Sequence, residues 1–334
     1  MGEKTRVLIV AGSSRKKTNC PAVDGKAIFF AKRAREKLYK NWTVDFLDLS
    51  NDFGMHKIQS CNACVSTSMA LCVWPCNCYK KNSISEPDLM WDEDVYGRIY
   101  AADIILICAP VNWYAPSSNI KLMFDRLVCA NGGNPDEKLI NHKDAKLAAA
   151  LQKSKKWKEL SKNHLEGRTI AFFIYGDYGA DEIAKDGRPK ILEHKEYFNP
   201  KEEVKYSTPK FAYTPIIWQC RYSGIEAPEH LIKEVIFGSG KAPSDNQIKE
   251  LKENEKVLKD FDSWIREVRK FADKKGKVKM GKYPVPLGKP NSDANVFFRN
   301  FNLFYRTTIQ GLWTYSIGYV LSRIKSKQYA LNKS

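Results

Sequence analysis

The sequence predicts an α/β protein built on a doubly wound, parallel, five-stranded sheet. Three observations carry this. Arg6–Ala11, Asp103–Cys108 and Thr169–Tyr175 are short continuous apolar runs rich in Val, Ile and Phe, the pattern of strands buried on both faces. Segments with helical periodicity separate them, and strands alternating with helices imply parallel strands joined by crossovers. The chain, at 334 residues, is long enough to bury a substantial core and still carry additions.

Taken in order, Arg6–Ala11 forms the first strand. A helix follows from Pro21 to about Leu38, where Val23, Ala27, Phe30, Ala31, Ala34 and Leu38 recur at helical spacing and proline suits the first turn. A second strand runs from Thr43 to Leu49 and a helix from Leu89 to Ala101. The third strand, Asp103–Cys108, leads to a helix over Ser117–Cys129. The fourth is Thr169–Tyr175, and the fifth is expected near Pro215–Cys220. A long closing helix covers Asp245–Ala272, with Ile248, Leu251, Leu258, Phe261, Ile265 and Val268 on one face.

Additions interrupt this frame. A cysteine-rich loop spans residues 58–82, and a Lys-, Asn- and Asp-rich insert at 131–167 precedes the fourth strand as a surface excursion. The main domain covers 1–273, a basic Pro- and Gly-containing linker 274–290, and an aromatic-rich, helical C-terminal extension 291–334. Arg299, Asn300, Asn302, Arg306 and Gln310 break the extension's apolar run, which argues against a membrane span. An arm packing on a partner subunit, in a homodimer or homotetramer, and an amphipathic helix in peripheral contact with an anionic membrane both fit it.

The 55 Lys and Arg residues against 38 Asp and Glu give a formal charge of +17, which suits an anionic ligand or surface but also an ordinary solvated basic face. The basic residues are not interleaved with aromatics in a nucleic-acid motif, so no nucleic-acid partner is expected. Met1–Arg6 runs straight into a strand too short for a secretory signal core, so a cytoplasmic protein is expected. In that compartment nine cysteines suggest buried, catalytic or metal-bound thiols over structural disulfides.

After the first strand, Gly12-Ser13-Ser14-Arg15-Lys16-Lys17-Thr18-Asn19 opens onto a helix. Small and hydroxyl residues there allow backbone N–H groups to wrap a phosphate at the helix's positive end, with Arg15 adding a charged fork; an ordinary strand-to-helix turn with a basic rim is the plainer alternative. The glycine spacings of dinucleotide and Walker loops are absent, which favours a terminal phosphomonoester such as that of FMN. After the third strand, Ala109-Pro110-Val111-Asn112-Trp113-Tyr114-Ala115-Pro116 offers open backbone groups and aromatic surface to a planar ring. Tyr175-Gly176-Asp177-Tyr178-Gly179 ends the fourth strand, where glycine permits close approach.

The phosphate-type loop Gly12–Asn19 and the block from Ala109 through Ser117 and Lys121–Leu127 resemble the NADPH-dependent FMN reductase family of the flavodoxin-like fold, especially its iron-sulfur flavoprotein branch, over roughly Arg6–Ala180. The resemblance implies a flavodoxin-like sheet, phosphate contacts from Ser13, Arg15, Thr18 and Asn19, and ring contacts from Pro110, Val111, Asn112, Trp113, Tyr114, Gly176 and Asp177. It also implies an FMN-dependent oxidoreductase that takes hydride from NAD(P)H and passes electrons to a quinone, a flavin or a relay in its own chain. A non-enzymatic flavodoxin-like or iron-sulfur electron-transfer protein serving a redox partner is the alternative. No catalytic side chain is assigned, since the flavin carries the chemistry and the five histidines form no constellation.

The spacing Cys61-x2-Cys64-x7-Cys72-x3-Cys76-x-Cys78 is dense enough for a soft-metal site. The iron-sulfur branch resembles Cys-x2-Cys-x2-Cys, and Thr67 stands where its third cysteine would be. Cys61, Cys64, Cys72 and Cys76 are the candidate ligands of a [4Fe-4S] cluster. Zinc, and a redox-active thiol pair such as Cys61/Cys64, are the competing explanations.

Overall fold

The computed structural model describes residues 4–19, 22–50, 58–72, 90, 94–131, 144–160, 163–176, 209–236 and 248–278. The chain divides into two compact units, Met1–Pro284 and Val285–Ser334. The second unit, the linker beyond 278, Asp177, Cys76 and Cys78 lie outside the described residues.

The first unit holds strands β1 (Arg6–Ala11), β2 (Thr43–Asp48), β3 (Ile104–Asn112), β5 (Thr169–Gly176) and β6 (Ile232–Ile236) in the order β2-β1-β3-β5-β6, all parallel. A two-residue strand, β4 (Ala115–Pro116), pairs antiparallel with the end of β3. This is the flavodoxin-like arrangement, in which the winding reverses between β1 and β3 and opens a crevice at their carboxyl ends.

Strand alternation sorts the core onto two faces. Val7, Ile9, Leu106, Phe173 and Tyr175 pack under α1 (Lys26–Leu38) and under Phe261, Trp264, Ile265 and Val268 of the long C-terminal helix, Glu255–Lys275. Phe30, Phe173 and Phe261 form the aromatic centre, with ring centroids 4.7 to 5.1 Å apart. The residues between them, such as Leu8, Val10, Ile105, Ile107, Phe172 and Ile174, are equally buried on the other face. That side carries α3 (Ser118–Asn131), α6 (Pro209–Ala212) and α7 (Thr214–Tyr222), with α2 (Val95–Ala101) entering before β3. The helices α4 (Ala145–Lys153) and α5 (Lys155–Leu160) lie in the insert, and α8 (Ile248–Glu253) precedes the last helix, α9 (Glu255–Lys275).

The expected closing helix is broken at Asn254, whose side chain accepts the Val257 N–H and starts α9, and the structure departs from the expectation in two further places. The fifth strand is Ile232–Ile236, and Pro215–Cys220 belongs to α7. Pro215 occupies its first turn, and Ile216, Ile217 and Cys220 turn one face inward at helical spacing. The true strand hides because it is an edge: Lys233 and Glu234 interrupt its apolar residues, as charges commonly do on edge strands, and pair with Asp260 and the Lys210 N–H. Second, α1 begins at Lys26 and not at Pro21. Ala22 has a left-handed backbone (φ 65°), and Asp24 accepts the Lys17 N–H at 3.2 Å, so the expected first turn is part of the loop.

The described part of the insert is helical and docks on the cysteine-rich loop. Ala70, Ala148 and Trp157 form a small separate core, and Gln152 accepts from Ser68 Oγ (2.6 Å) and from the Met69 N–H (3.0 Å).

Candidate functional site

The expected binding segments meet at the carboxyl edge of three neighbouring strands. β1 and β3 pair through Ala11 and Cys108, and β3 and β5 through Pro110 and Tyr175, so the loops leaving these strands adjoin. Gly12 is the pivot. Its N–H donates to the Cys108 carbonyl at 2.9 Å, and a Cβ there would fall 2.8 Å from Ala109 and Ile120. Buried Ser117, at the head of α3, donates its hydroxyl to the Gly12 carbonyl, and buried Asn119 donates to the Leu49 carbonyl. The loops after β1 and β2 are thus fastened to the start of one helix.

The described residues 12–19 and 22–25 belong to a loop shaped from within. Asn19 accepts the Lys16 N–H at 2.9 Å and donates to the Ser14 carbonyl at 2.8 Å. Ser13 is buried and accepts the Arg15 N–H, while the Gly25 N–H closes the loop on the Arg15 carbonyl at 3.1 Å. Gly25 sits where a Cβ would come 2.7 Å from that of Ser13, so only glycine lets the loop fold back this closely. The N-cap, Gly25, makes no side-chain hydrogen bond and no acidic residue occupies the first turn of α1, so no carboxylate of that turn opposes an anion at the helix's positive end. Arg15, Lys17 and Thr18 are exposed around it. A phosphate fits this arrangement: a helix N-terminus, a tight glycine cradle and an exposed guanidinium, without a carboxylate in the helix's first turn.

The second segment is a hairpin. Val111 pairs with Pro116 and Asn112 with Ala115, leaving Trp113 and Tyr114 as a two-residue turn with φ of 49° and 60°. Two positive φ values mark the turn family that favours Asn-Gly, so bulky aromatics hold it under strain. Trp113 is 94% exposed and Tyr114 57% exposed. These side chains stand at the crevice's rim in solvent. Gly176 ends β5 beside Ile236, and the remaining expected contact, Asp177, lies outside the described residues.

Two phenols that the sequence reading did not assign lie beneath these segments. Tyr213 is fully buried, donates to the Pro110 carbonyl at 2.7 Å and takes the Ser117 N–H. Tyr175 reaches the Ala27 N–H in the first turn of α1. Burial pushes both phenols well above the ordinary tyrosine range, so both act as neutral hydrogen-bonding groups. Burial likewise raises the Cys108 thiol, which marks it as core and not nucleophile. A single sequence carries no periodicity or spacing that singles out either tyrosine.

The cysteine expectation fares differently. Cys61 and Cys64 are half-buried, Cys72 is buried, and all three are free thiols. Among the described residues no three His, Cys, Asp or Glu side chains stand close enough together to hold a metal ion; Cys76, the fourth expected ligand, lies outside the described residues. The motif instead shows a local device: Ala63, left-handed at φ 52°, donates its N–H to Cys61 Sγ at 3.3 Å. Among the described residues no helix is long and apolar enough to cross a membrane.

Residues 5–197 match the model of the NADPH-dependent FMN reductase family. No curated protein matches the chain. Among solved structures, the chain is similar to an azoreductase from Bacillus anthracis str. Sterne (15% identity, 81% of this chain and 99% of that one, TM-score 0.38). It is also similar to an NADPH-quinone reductase from P. pentosaceus (12% identity, 79% and 96%, TM-score 0.35). A third is general stress protein 14 from Treponema denticola in complex with FMN (12% identity, 79% and 98%, TM-score 0.35). Likeness this distant says nothing of substrate or acceptor.

Proposed function

Because the chain belongs to the NADPH-dependent FMN reductase family, and is therefore an NAD(P)H-dependent FMN oxidoreductase, we propose that FMN lies at the carboxyl edge of β1, β3 and β5 and passes its electrons to a small planar acceptor such as a quinone or a free flavin. The observation that supports this most is the loop after β1, whose glycine cradle folds back onto the N-terminus of α1, where the first turn carries no acidic residue.

In this reading the loop amides hold the phosphate together with Ser13, Arg15 and Thr18. Asn19, with both ends of its amide engaged inside the loop, keeps the cradle's shape. Backbone groups from Pro110 to Asn112, with Gly176 and Asp177, face the ring's polar edge, and Trp113 and Tyr114 line the entrance. Bound FMN supplies the two-electron chemistry between nicotinamide and acceptor. The protein's own contribution is placement: the hairpin and the loop fix the ligand's two ends relative to the sheet, and the rim aromatics limit water at the crevice mouth.

Purified protein oxidising NADPH with a soluble quinone, and releasing FMN on acid precipitation, is the expected result. Protein that releases riboflavin or FAD in place of FMN, or oxidises NADPH with no bound flavin, contradicts it.

An acceptor inside the chain is the second reading, favoured by the Ala63 N–H on Cys61 Sγ, which holds that sulfur in the turn leading to Cys64. Reduction of a Cys61–Cys64 disulfide would take two electrons and two protons and give two thiols. Thiol counts before and after NADPH addition test it, with two new thiols expected per chain and an unchanged count against it. A [4Fe-4S] cluster draws no support from the three described cysteines, and iron and sulfide analysis decides between the two. Homodimer or homotetramer assembly, a cytoplasmic location and peripheral membrane contact through residues 291–334 are separate proposals. Light scattering, cell fractionation and liposome co-sedimentation read them out.

A further inference from the structure

The hairpin that would border the flavin presents a physical puzzle. Trp113 and Tyr114 both hold left-handed backbone at its tip, with side chains 94% and 57% exposed. Strained conformations of this kind persist only where the surroundings over-determine them. The hairpin's base, where Val111 pairs with Pro116, supplies one such constraint.

We propose that Tyr213 is a positioning residue for the flavin: its phenol clamps the base of the Val111–Pro116 hairpin and so sets the backbone edge that meets the ring. The proposal rests on the FMN reading above. Pro110 and Ser117 flank the hairpin on either side, and the Tyr213 hydroxyl engages both, donating to the Pro110 carbonyl at 2.7 Å and accepting the Ser117 N–H. Ser117 then passes the constraint on, since its own hydroxyl donates to the Gly12 carbonyl in the first loop. One buried oxygen therefore links the hairpin to the phosphate loop through a single intermediary. Tyr213 lies outside residues 5–197, the span the family model matches, so nothing in that match assigns it.

The clamp is itself anchored. Tyr213 sits at the junction of α6 and α7, where its N–H donates to the Lys210 carbonyl (3.1 Å) and its carbonyl accepts the Ile217 N–H (3.0 Å). The Lys210 N–H reaches Glu234 on β6 at 2.9 Å, and Gln219 on α7 donates to Asp125 on α3 at 2.8 Å. The Tyr213 ring lies 6.1 Å from that of Phe172 in the sheet. Position is thereby carried from β6, α3 and β5 into two carbonyl-to-amide contacts at the hairpin. Because burial keeps the phenol neutral, the clamp holds across the working pH range.

Tyr213→Phe removes the hydroxyl and leaves the ring. Tyr96→Phe is the matched control: Tyr96 is equally buried, but its hydroxyl meets His164 Nδ1 (3.4 Å) at the sheet's opposite edge. In the full chain, amide hydrogen exchange over residues 110–117 is expected to speed up in Tyr213→Phe without bound flavin. The FMN dissociation constant is expected to rise roughly tenfold, by the loss of one buried hydrogen-bond bridge, with a changed band shape in the bound flavin's visible spectrum. Tyr96→Phe should alter none of these. Wild-type-like exchange over 110–117 in Tyr213→Phe, or equal acceleration in Tyr96→Phe, overturns the clamp. Unchanged FMN affinity with accelerated exchange overturns the positioning role. A wild-type protein that takes up no FMN defeats the proposed function instead, and the exchange arm still decides the clamp.

Discussion

The two edges of the sheet are built in opposite ways. At the amino edge, where β1, β3 and β5 begin, buried charge fastens every neighbouring segment. Asp103, 2% exposed, accepts from the Arg6 guanidinium at 2.6 and 3.0 Å, from the Arg6 N–H at 2.8 Å and from the Val278 N–H at 3.0 Å. Arg168 lies 4.4 Å over the Tyr100 ring and donates to the carbonyls of Tyr100, His164 and Glu166, while Lys275 joins Gly167, Thr169 and Glu226. At the carboxyl edge the fastenings hold loops open instead. Gly12, Ser117, Asn119 and Tyr213 brace backbone from below, and above them lie a helix N-terminus without acidic residues, left-handed aromatics and exposed cations. Stability gathers at one edge and strain at the other, the division expected when one edge must accept a ligand.

Removing the amino-edge hub should give the largest effect. Asp103→Ala leaves the Arg6 guanidinium and the Val278 N–H without their acceptor, and denaturant unfolding should show a loss of about 3 kcal/mol or more. FMN affinity of the folded fraction should hold; a selective loss of flavin with stability intact would erase the contrast between edges. Next comes Gly12→Ala, whose methyl meets Ala109 and Ile120 at 2.8 Å. Overpacking of this kind costs on the order of 1–3 kcal/mol, and here weaker FMN binding should accompany the lower unfolding midpoint.

Acid should reach the amino edge first. Burial alone would raise the Asp103 carboxyl, but the hydrogen bonds and charge of Arg6, with the Val278 N–H, hold it below the ordinary range. A carboxyl lowered on folding contributes stability that is complete above its ordinary pKa, about 3.9, and is lost as pH falls through the lowered folded value. Asp45 and Asp262 are lowered as well, beside Arg98 and beside Arg33 and Lys37, so wild type must be compared with Asp103→Asn across that window. The stability gap between the two should shrink toward low pH; a constant gap would contradict this account of Asp103.

The smallest effect has the opposite sign. Replacing Trp113 and Tyr114 by Asn and Gly installs the residues the turn favours and should stabilise the fold by about 1 kcal/mol in thermal unfolding, while weakening NADPH-dependent turnover. Destabilisation would show that the aromatics are not under strain.

The sequence made the central strands and the position of the site legible for the same physical reason. Runs such as Arg6–Ala11 and Thr169–Tyr175 are buried on both faces, so their composition is decided locally, and ligand loops follow from where such strands end. Edge strand β6 was not legible, because Lys233 and Glu234 answer to Asp260 and Lys210 in distant segments. The start of α1 was misplaced for a related reason: Pro21 suits a first turn, but the loop's closure on Gly25 fixes the boundary by tertiary contact. Tyr213 was invisible because its role depends on a partner 103 positions away. Cysteine spacing suggested a metal site, yet spacing sets only proximity along the chain; among the described residues Cys61, Cys64 and Cys72 form no metal-holding group, and Cys76 and Cys78 lie outside them.

The central claim, that the loop of residues 12–25 cradles a flavin's phosphate, is tested most directly by titrating flavin-free protein with FMN and with riboflavin under matched salt. The account predicts tight FMN uptake at one site per chain, with riboflavin weaker by roughly 100-fold for want of the charge-assisted contacts. Equal affinity for the two flavins, or no uptake of FMN, would contradict it.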